Sequence, residues 1–163
     1  INSLRWTDDL PHNFSDRLSY SYQLVFTRKF NEDLSLGITP SMVHFNLVDT
    51  REQPNDIYAI GISGRYKLNP RVSINVEYFP QLQRNFILEG DQRTYYNNSL
   101  SLGFDIETGG HVFQLFFSNS RGVIDPQFIA QTPGSWSDGD VFFGFNISRV
   151  FTLVKPKLPE AEF

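Results

Sequence analysis

Residues 98–118 read NSLSLGFDIETGGHVFQLFFS, and the order of apolar and polar residues in this stretch decides the fold. Leu100, Leu102, Phe104 and Ile106 alternate with Ser99, Ser101, Gly103, Asp105 and Glu107. After Thr108-Gly109-Gly110 the alternation resumes, with Phe113, Leu115 and Phe117 set against Val112, Gln114, Phe116 and Ser118. Successive side chains of a strand point to opposite faces, so a period of two predicts two strands joined by a tight turn.

The same period runs outward in both directions. In residues 17–30, Leu18, Tyr20, Tyr22, Leu24 and Phe26 oppose Arg17, Ser19, Ser21, Gln23 and Thr27, with Val25 out of phase. In residues 34–47, Leu34, Leu36 and Ile38 alternate, then the phase slips to Val43, Phe45 and Leu47. Pro40 sits at the slip, where a bulge or an interrupted edge is expected because proline has no N–H to donate. Residues 56–68, 72–80 and 141–153 give three more strands. No helical period of useful length occurs, and residues 154–163 are expected to be a flexible periplasmic tail.

Connections alternate strictly between short and long. Residues 31–33, 69–71 and 108–110 carry turn chemistry, as Asn-Glu-Asp, Asn-Pro-Arg and Thr-Gly-Gly. Residues 48–55, 81–97 and 119–140 form the long connections. An up-and-down meander with one plain end and one elaborated end has this arrangement.

Composition narrows the class. The chain has 163 residues, 16 Phe, 7 Tyr, 2 Trp and a net charge of −4, so it is one aromatic-rich domain with no basic stripe for nucleic acid. Among these residues the absence of Cys excludes disulfides, thiolate metal sites and a Cys nucleophile.

Alternation alone fits a soluble barrel with its apolar face inward, or an outer-membrane barrel with its apolar face in lipid. Strand length favours the membrane: several segments run about 9–14 residues, where a tilted crossing needs about 9–11 and soluble strands average about 5–6. The short-turn and long-loop asymmetry agrees. So does the polar face, on which Arg17, Arg65, Lys67, Glu77, Asp105 and Glu107 are expected to form an interior charge network. Tyr20, Tyr22, Tyr58, Tyr66, Tyr78 and Phe151 are read as an aromatic girdle at the membrane interfaces. The fold class is therefore an all-β, antiparallel, up-and-down transmembrane β-barrel with seven to eight strands in residues 1–153. Residues 1–6 are read as an incomplete first strand. Further strands are expected in the same polypeptide, so that these strands are part of a larger barrel.

The stretches FSDRLSYSYQLVFTRKF (14–30), HFNLVDT (44–50), NSLSLGFDIETGGHVFQLFFSNS (98–120) and GDVFFGFNISRVFTL (139–153) resemble the C-terminal part of a Bacteroidota outer-membrane β-barrel family classed as a domain of unknown function. The resemblance implies fold and location. It brings no substrate, reaction or catalytic residue.

Residues able to carry chemistry also have plainer roles. His111 follows Gly109-Gly110 and reads as an interfacial ring, while His12 and His44 lie in or near loops. Ser118, Ser120, His44 and Asp49 could share the outer rim as a hydrolase constellation, but serine is common on the polar face. Ser137-Asp138-Gly139-Asp140 reads as a turn before it reads as a calcium loop. Phe128, Ile129 and Trp136 are candidates either to contact a partner or to pack into the barrel mouth. No catalytic residue, metal or cofactor is assigned, and no enzyme activity is expected. The function expected first is a structural or interaction component of an envelope assembly, in outer-membrane lipid and with envelope proteins reached through the long loops. A porin-like small-solute channel is the alternative, and a barrel-embedded lipid or envelope hydrolase is less favoured.

Overall fold

The computed structural model describes residues 13–48, 50–89 and 92–149. A 3-10 turn, Phe14–Arg17, leads into β1 (Ser19–Gln23) and β2 (Phe26–Lys29), followed by β3 (Leu34–Phe45), β4 (Asp56–Asn69) and β5 (Val72–Phe79). Next come β6 (Phe86–Glu89), β7 (Gln92–Tyr95), β8 (Ser99–Thr108), β9 (His111–Ser118), α1 (Asp125–Ala130) and β10 (Phe142–Arg149). The main sheet is antiparallel in the order β1-β3-β4-β5-β8-β9-β10, with β2 continuing β1 along β3. It curls into a half-barrel of seven strands. Among the described residues β6 and β7 pair only with each other.

The short turns form where their chemistry places them. The Asn31 side-chain oxygen accepts the N–H groups of Asp33 and Leu34 at 2.9 and 2.7 Å, and that of Asn69 accepts Arg71 and Val72 at 2.9 and 3.0 Å. Each is an Asn side chain standing in for a backbone acceptor. At the third turn Gly109 and Gly110 take φ +53° and +135°, a conformation that side chains resist. The long connections all leave the opposite end.

One expectation is corrected and one is narrowed. Arg17 is not in a strand: the Asn13 N–H donates to the Asp16 carboxylate at 2.8 Å, and this local bond closes the 3-10 turn before β1 begins. At Pro40, of the two outcomes expected, the structure has the interrupted edge and not the bulge. β3 pairs with β4 in unbroken register from Leu34↔Tyr66 to His44↔Asp56, and β1 and β2 share one register against β3, Gln23↔Ser41 and Phe26↔Ile38. The break at residues 24–25 lies opposite Pro40. The Leu24 N–H donates to the Pro40 carbonyl at 3.1 Å. An antiparallel residue turns its N–H and C=O to the same neighbour, so the donor that proline lacks is missing only on this side. The ladder irregularity falls instead between Lys67 and Asn69.

The faces are inverted relative to a soluble barrel. Ile38, Ile62 and Phe145, all mid-strand on the outer face, are 52%, 51% and 66% exposed. Thr39, Ser41, Ser73 and Asp105, on the inner face, are buried. A continuous apolar exterior over a polar interior is the arrangement lipid stabilises and water does not. On β4, Tyr58 and Tyr66 bracket Ile60 and Ile62. Eight residues at about 3.4 Å each, tilted about 35–45°, span roughly 19–22 Å of membrane normal, close to the ~25 Å apolar band of such barrels.

The phase slip in β3 has a tertiary cause. Towards the loop end the inner face itself turns apolar: Val43, Ile57, Ala59 and Phe79 cluster with Ile129 and Ala130 of α1, with Phe45 and Phe128 against them. The Phe79 ring lies over Gly61, its cross-strand neighbour, where a Cβ would come within 2.5 Å of the ring.

β1 and β10, the two edges, both run from the loop end to the short-turn end, and among the described residues no strand covers either. Closing this sheet by antiparallel pairing alone therefore takes an odd number of further strands.

Candidate functional site

The inner wall carries a row of polar side chains fixed by register. Ser73↔Asp105, Asp105↔Gln114 and Gln114↔Asn146 are direct cross-strand partners on β5, β8, β9 and β10. The Gln114 amide donates to Asp105 at 3.1 Å, and the Asn146 amide donates to Gln114 at 3.0 Å. Arg65 reaches over from β4, its Nε donating to Ser73 at 3.0 Å and its Nη2 lying 3.5 Å from the Asp105 carboxylate. The Asp105 side chain is 10% exposed, so its charge is answered by a cation and an amide together, as burial requires.

The other expected members of the network stand apart from this row. Lys67 and Glu107 lie on the same inner face but stay exposed near the short turns. Arg17 lies in the turn before β1. Glu77 lies one inner-face position above Asn75, beside Ser101, and lines the open space rather than the paired row.

That space is bounded by α1. The loop after β9 does not extend outward; it turns into the mouth and is held there from three sides. The Gln81 and Asn85 amides donate to the carbonyls of Ile129 and Ala130 at 3.0 and 3.2 Å. The Asn97 N–H donates to the Thr132 carbonyl at 2.8 Å, and the Asn119 amide to that of Gly134 at 2.9 Å. Ile129 is 1% exposed, Phe128 meets the Phe79 ring edge-on at 5.6 Å, and the Trp136 indole donates to the Leu100 carbonyl at 3.0 Å. Ile129 and Phe128 thus pack into the mouth, and the Trp136 indole is tied to the loop end of β8.

Beside α1 a cavity of about 530 Å³ remains, lined by Asn75, Glu77, Ser101, Asp105, Gln114 and Asn146 from the wall. Arg121, Asp125, Phe116, Phe128 and Phe142 are among the other residues that line it. The Arg121 guanidinium lies 4.7 Å from the centre of the Phe142 ring. The Phe116 ring covers Gly144. Ser101 and Ser118 hydroxyls pair at 2.9 Å. Arg121 and Asp125 carry no periodic signal that would reveal them. The Asp125-Pro126 pair, suited to a helix start, is the cue that could have found α1. Gly90-Asp91, a pair that favours hairpin loops, is the corresponding cue for β6 and β7.

The remaining candidates are not brought together. His44 is on the outer face, its Nδ1 2.6 Å from the Asp56 carboxylate and its ring stacked on Tyr20 at 6.3 Å between centroids. Ser118 and Ser120 belong to the loop end of the inner wall, and His111 is at the opposite end of the sheet beside Phe113. His12, Asp49, Phe151 and the expected first strand and C-terminal tail lie outside the described residues. Residues 137–140 form a turn closed by the Ser135 N–H on the Asp140 carboxylate at 3.3 Å. Tyr20, Tyr22, Tyr58, Tyr66 and Tyr78 all face outward and exposed. Outside the sheet, the Tyr95 hydroxyl and the Glu52 carboxylate hold the Arg93 guanidinium above its ordinary pKa.

An apolar exterior, a polar ion-paired interior and long loops at one end define a membrane-bound β-barrel domain. The family model described as a membrane-bound beta-barrel domain, DUF5777, matches residues 1–151, and the chain belongs to that family. No curated protein and no solved structure matches the chain.

Proposed function

We propose that this domain is the wall of an aqueous passage for small hydrophilic solutes across a bacterial outer membrane. The observation that carries the reading is the inner face below its apolar loop end: a polar row runs from β4 to β10, with about 530 Å³ left open beside an inward-folded loop. Curvature supports it. If seven strands make half a turn, the whole barrel holds about twice as many, well above the eight or so whose interior side chains alone can fill. α1 then narrows the loop-end mouth without filling it. The outer membrane is the usual home of closed antiparallel barrels, because only closure satisfies every edge N–H and C=O in lipid.

The reading as an interaction component of an envelope assembly draws on a different feature. The β6–β7 hairpin stands on the loop side with exposed Arg84, Arg93 and Tyr95, braced by the Arg93–Glu52 ion pair.

The test is planar-bilayer recording on the native polypeptide, with heat-modifiability on a gel as the check of folding. Stepwise conductance is expected. Folded protein that leaves the membrane current at background sinks the passage reading and favours the assembly component.

A further inference from the structure

The cavity beside α1 brings together three charged groups that have no opposite partner among the described residues. Asp105 shows what this wall does with a charge that serves only the fold: it is buried and met by Arg65 and Gln114. Glu77, Asp125 and Arg121 are treated differently. All three line the cavity, and among the described residues none has an ion-pair partner. Glu77, on β5, and Asp125, at the start of α1, are two like charges lining one space. Arg121 is set apart from them, its guanidinium seated on the Phe142 ring. Phe116, 38% exposed, presents an apolar surface to the cavity.

Two like charges facing one opening favour a cation between them, and a fixed guanidinium beside them favours an anion. We propose that this cavity binds a small zwitterionic solute of the amino-acid or short-peptide class. Its protonated amine lies between Glu77 and Asp125, its carboxylate is directed to Arg121, and its apolar part lies on Phe116. A neutral sugar would leave all three charges unanswered. A bare metal ion would find two carboxylates and no third ligand, since no cluster of three or more acidic or histidine groups is placed to hold one among the described residues. The volume suits a molecule of this size. The inference rests on the passage reading, and the two are tested by different measurements.

Calorimetry on the native polypeptide in detergent reads the site, and bilayer recording reads the passage. Lysine is the probe, with lysine methyl ester and glucose beside it. Saturable binding of lysine and its ester, with none of glucose, is expected. Glu77→Gln should weaken both amines by roughly tenfold or more, the loss of one charged partner. Arg121→Gln should weaken lysine and leave the ester unchanged. Asp125→Asn repeats the first test from α1 should Glu77→Gln fail to fold, and Asp138→Asn, in an exposed turn, is the neutral control. Equal affinities for lysine and glucose, no binding at all, or binding that ignores Glu77 and Asp125 would each overturn the proposal. Conductance without lysine binding removes the site and keeps the passage; lysine binding without conductance does the reverse.

Discussion

The two ends of the inner wall solve the same problem in opposite ways. Towards the loops the wall is apolar, and α1 folds in to cover Val43, Ile57, Ala59 and Phe79. Towards the short turns it is polar, and Arg65, Ser73, Asp105, Gln114 and Asn146 answer one another across five strands. Both ends are satisfied internally, one by burial and one by pairing. Between them lie Glu77, Asp125 and Arg121, which neither device accounts for.

The largest expected effect strikes the loop end. Phe79→Ala removes a ring packed over Gly61 and against Phe128 and should cost about 3–5 kcal/mol in denaturant unfolding from lipid vesicles. A loss well under 1 kcal/mol would mean that α1 is not docked as described. Next comes the outer surface that both ends share. Ile62→Arg puts a cation at lipid depth, for an expected ~2–4 kcal/mol, whereas Ser63→Arg next to it faces the lumen and should cost far less. Equal losses in the same unfolding assay would show the faces to be assigned the wrong way round.

A smaller effect is expected at the short-turn end. Asp105→Asn keeps an acceptor for Gln114 but loses the charge beside Arg65. With the Arg65 side chain half exposed and the pair screened by solvent, about 1 kcal/mol is expected, and raising the salt concentration should shrink the difference from wild type. A salt-independent loss of several kcal/mol would recast the row as a buried ionic core. The smallest effect belongs to Ser101→Ala, which leaves Ser118 without its hydroxyl partner: about 0.5–1.5 kcal/mol, visible as a shift of the unfolding midpoint with an unchanged slope.

Much of the wall is legible in the sequence. The faces of β4, β5, β8 and β9 follow from alternation alone, and Tyr20, Tyr58, Tyr66 and Tyr78 are readable as outward rings. Asn31, Asn69 and Gly109-Gly110 mark the short turns because their chemistry is local. Arg17 misleads, because alternation continues through it while the Asn13–Asp16 bond is what sets its conformation. Pro40 is legible as the interruption of an edge, because the missing donor is plain from the residue itself, but which neighbour loses it depends on the register.

The sequence by itself determined the period, the two faces and the alternation of short and long connections, since each depends on neighbouring residues and the geometry of one strand. Only the tertiary structure decided that Arg65 meets Asp105 while Glu77 stays unpaired, and that Phe128 and Ile129 pack into the mouth. Those outcomes depend on register between strands far apart in the chain and on where a long loop comes to rest, which no local pattern encodes.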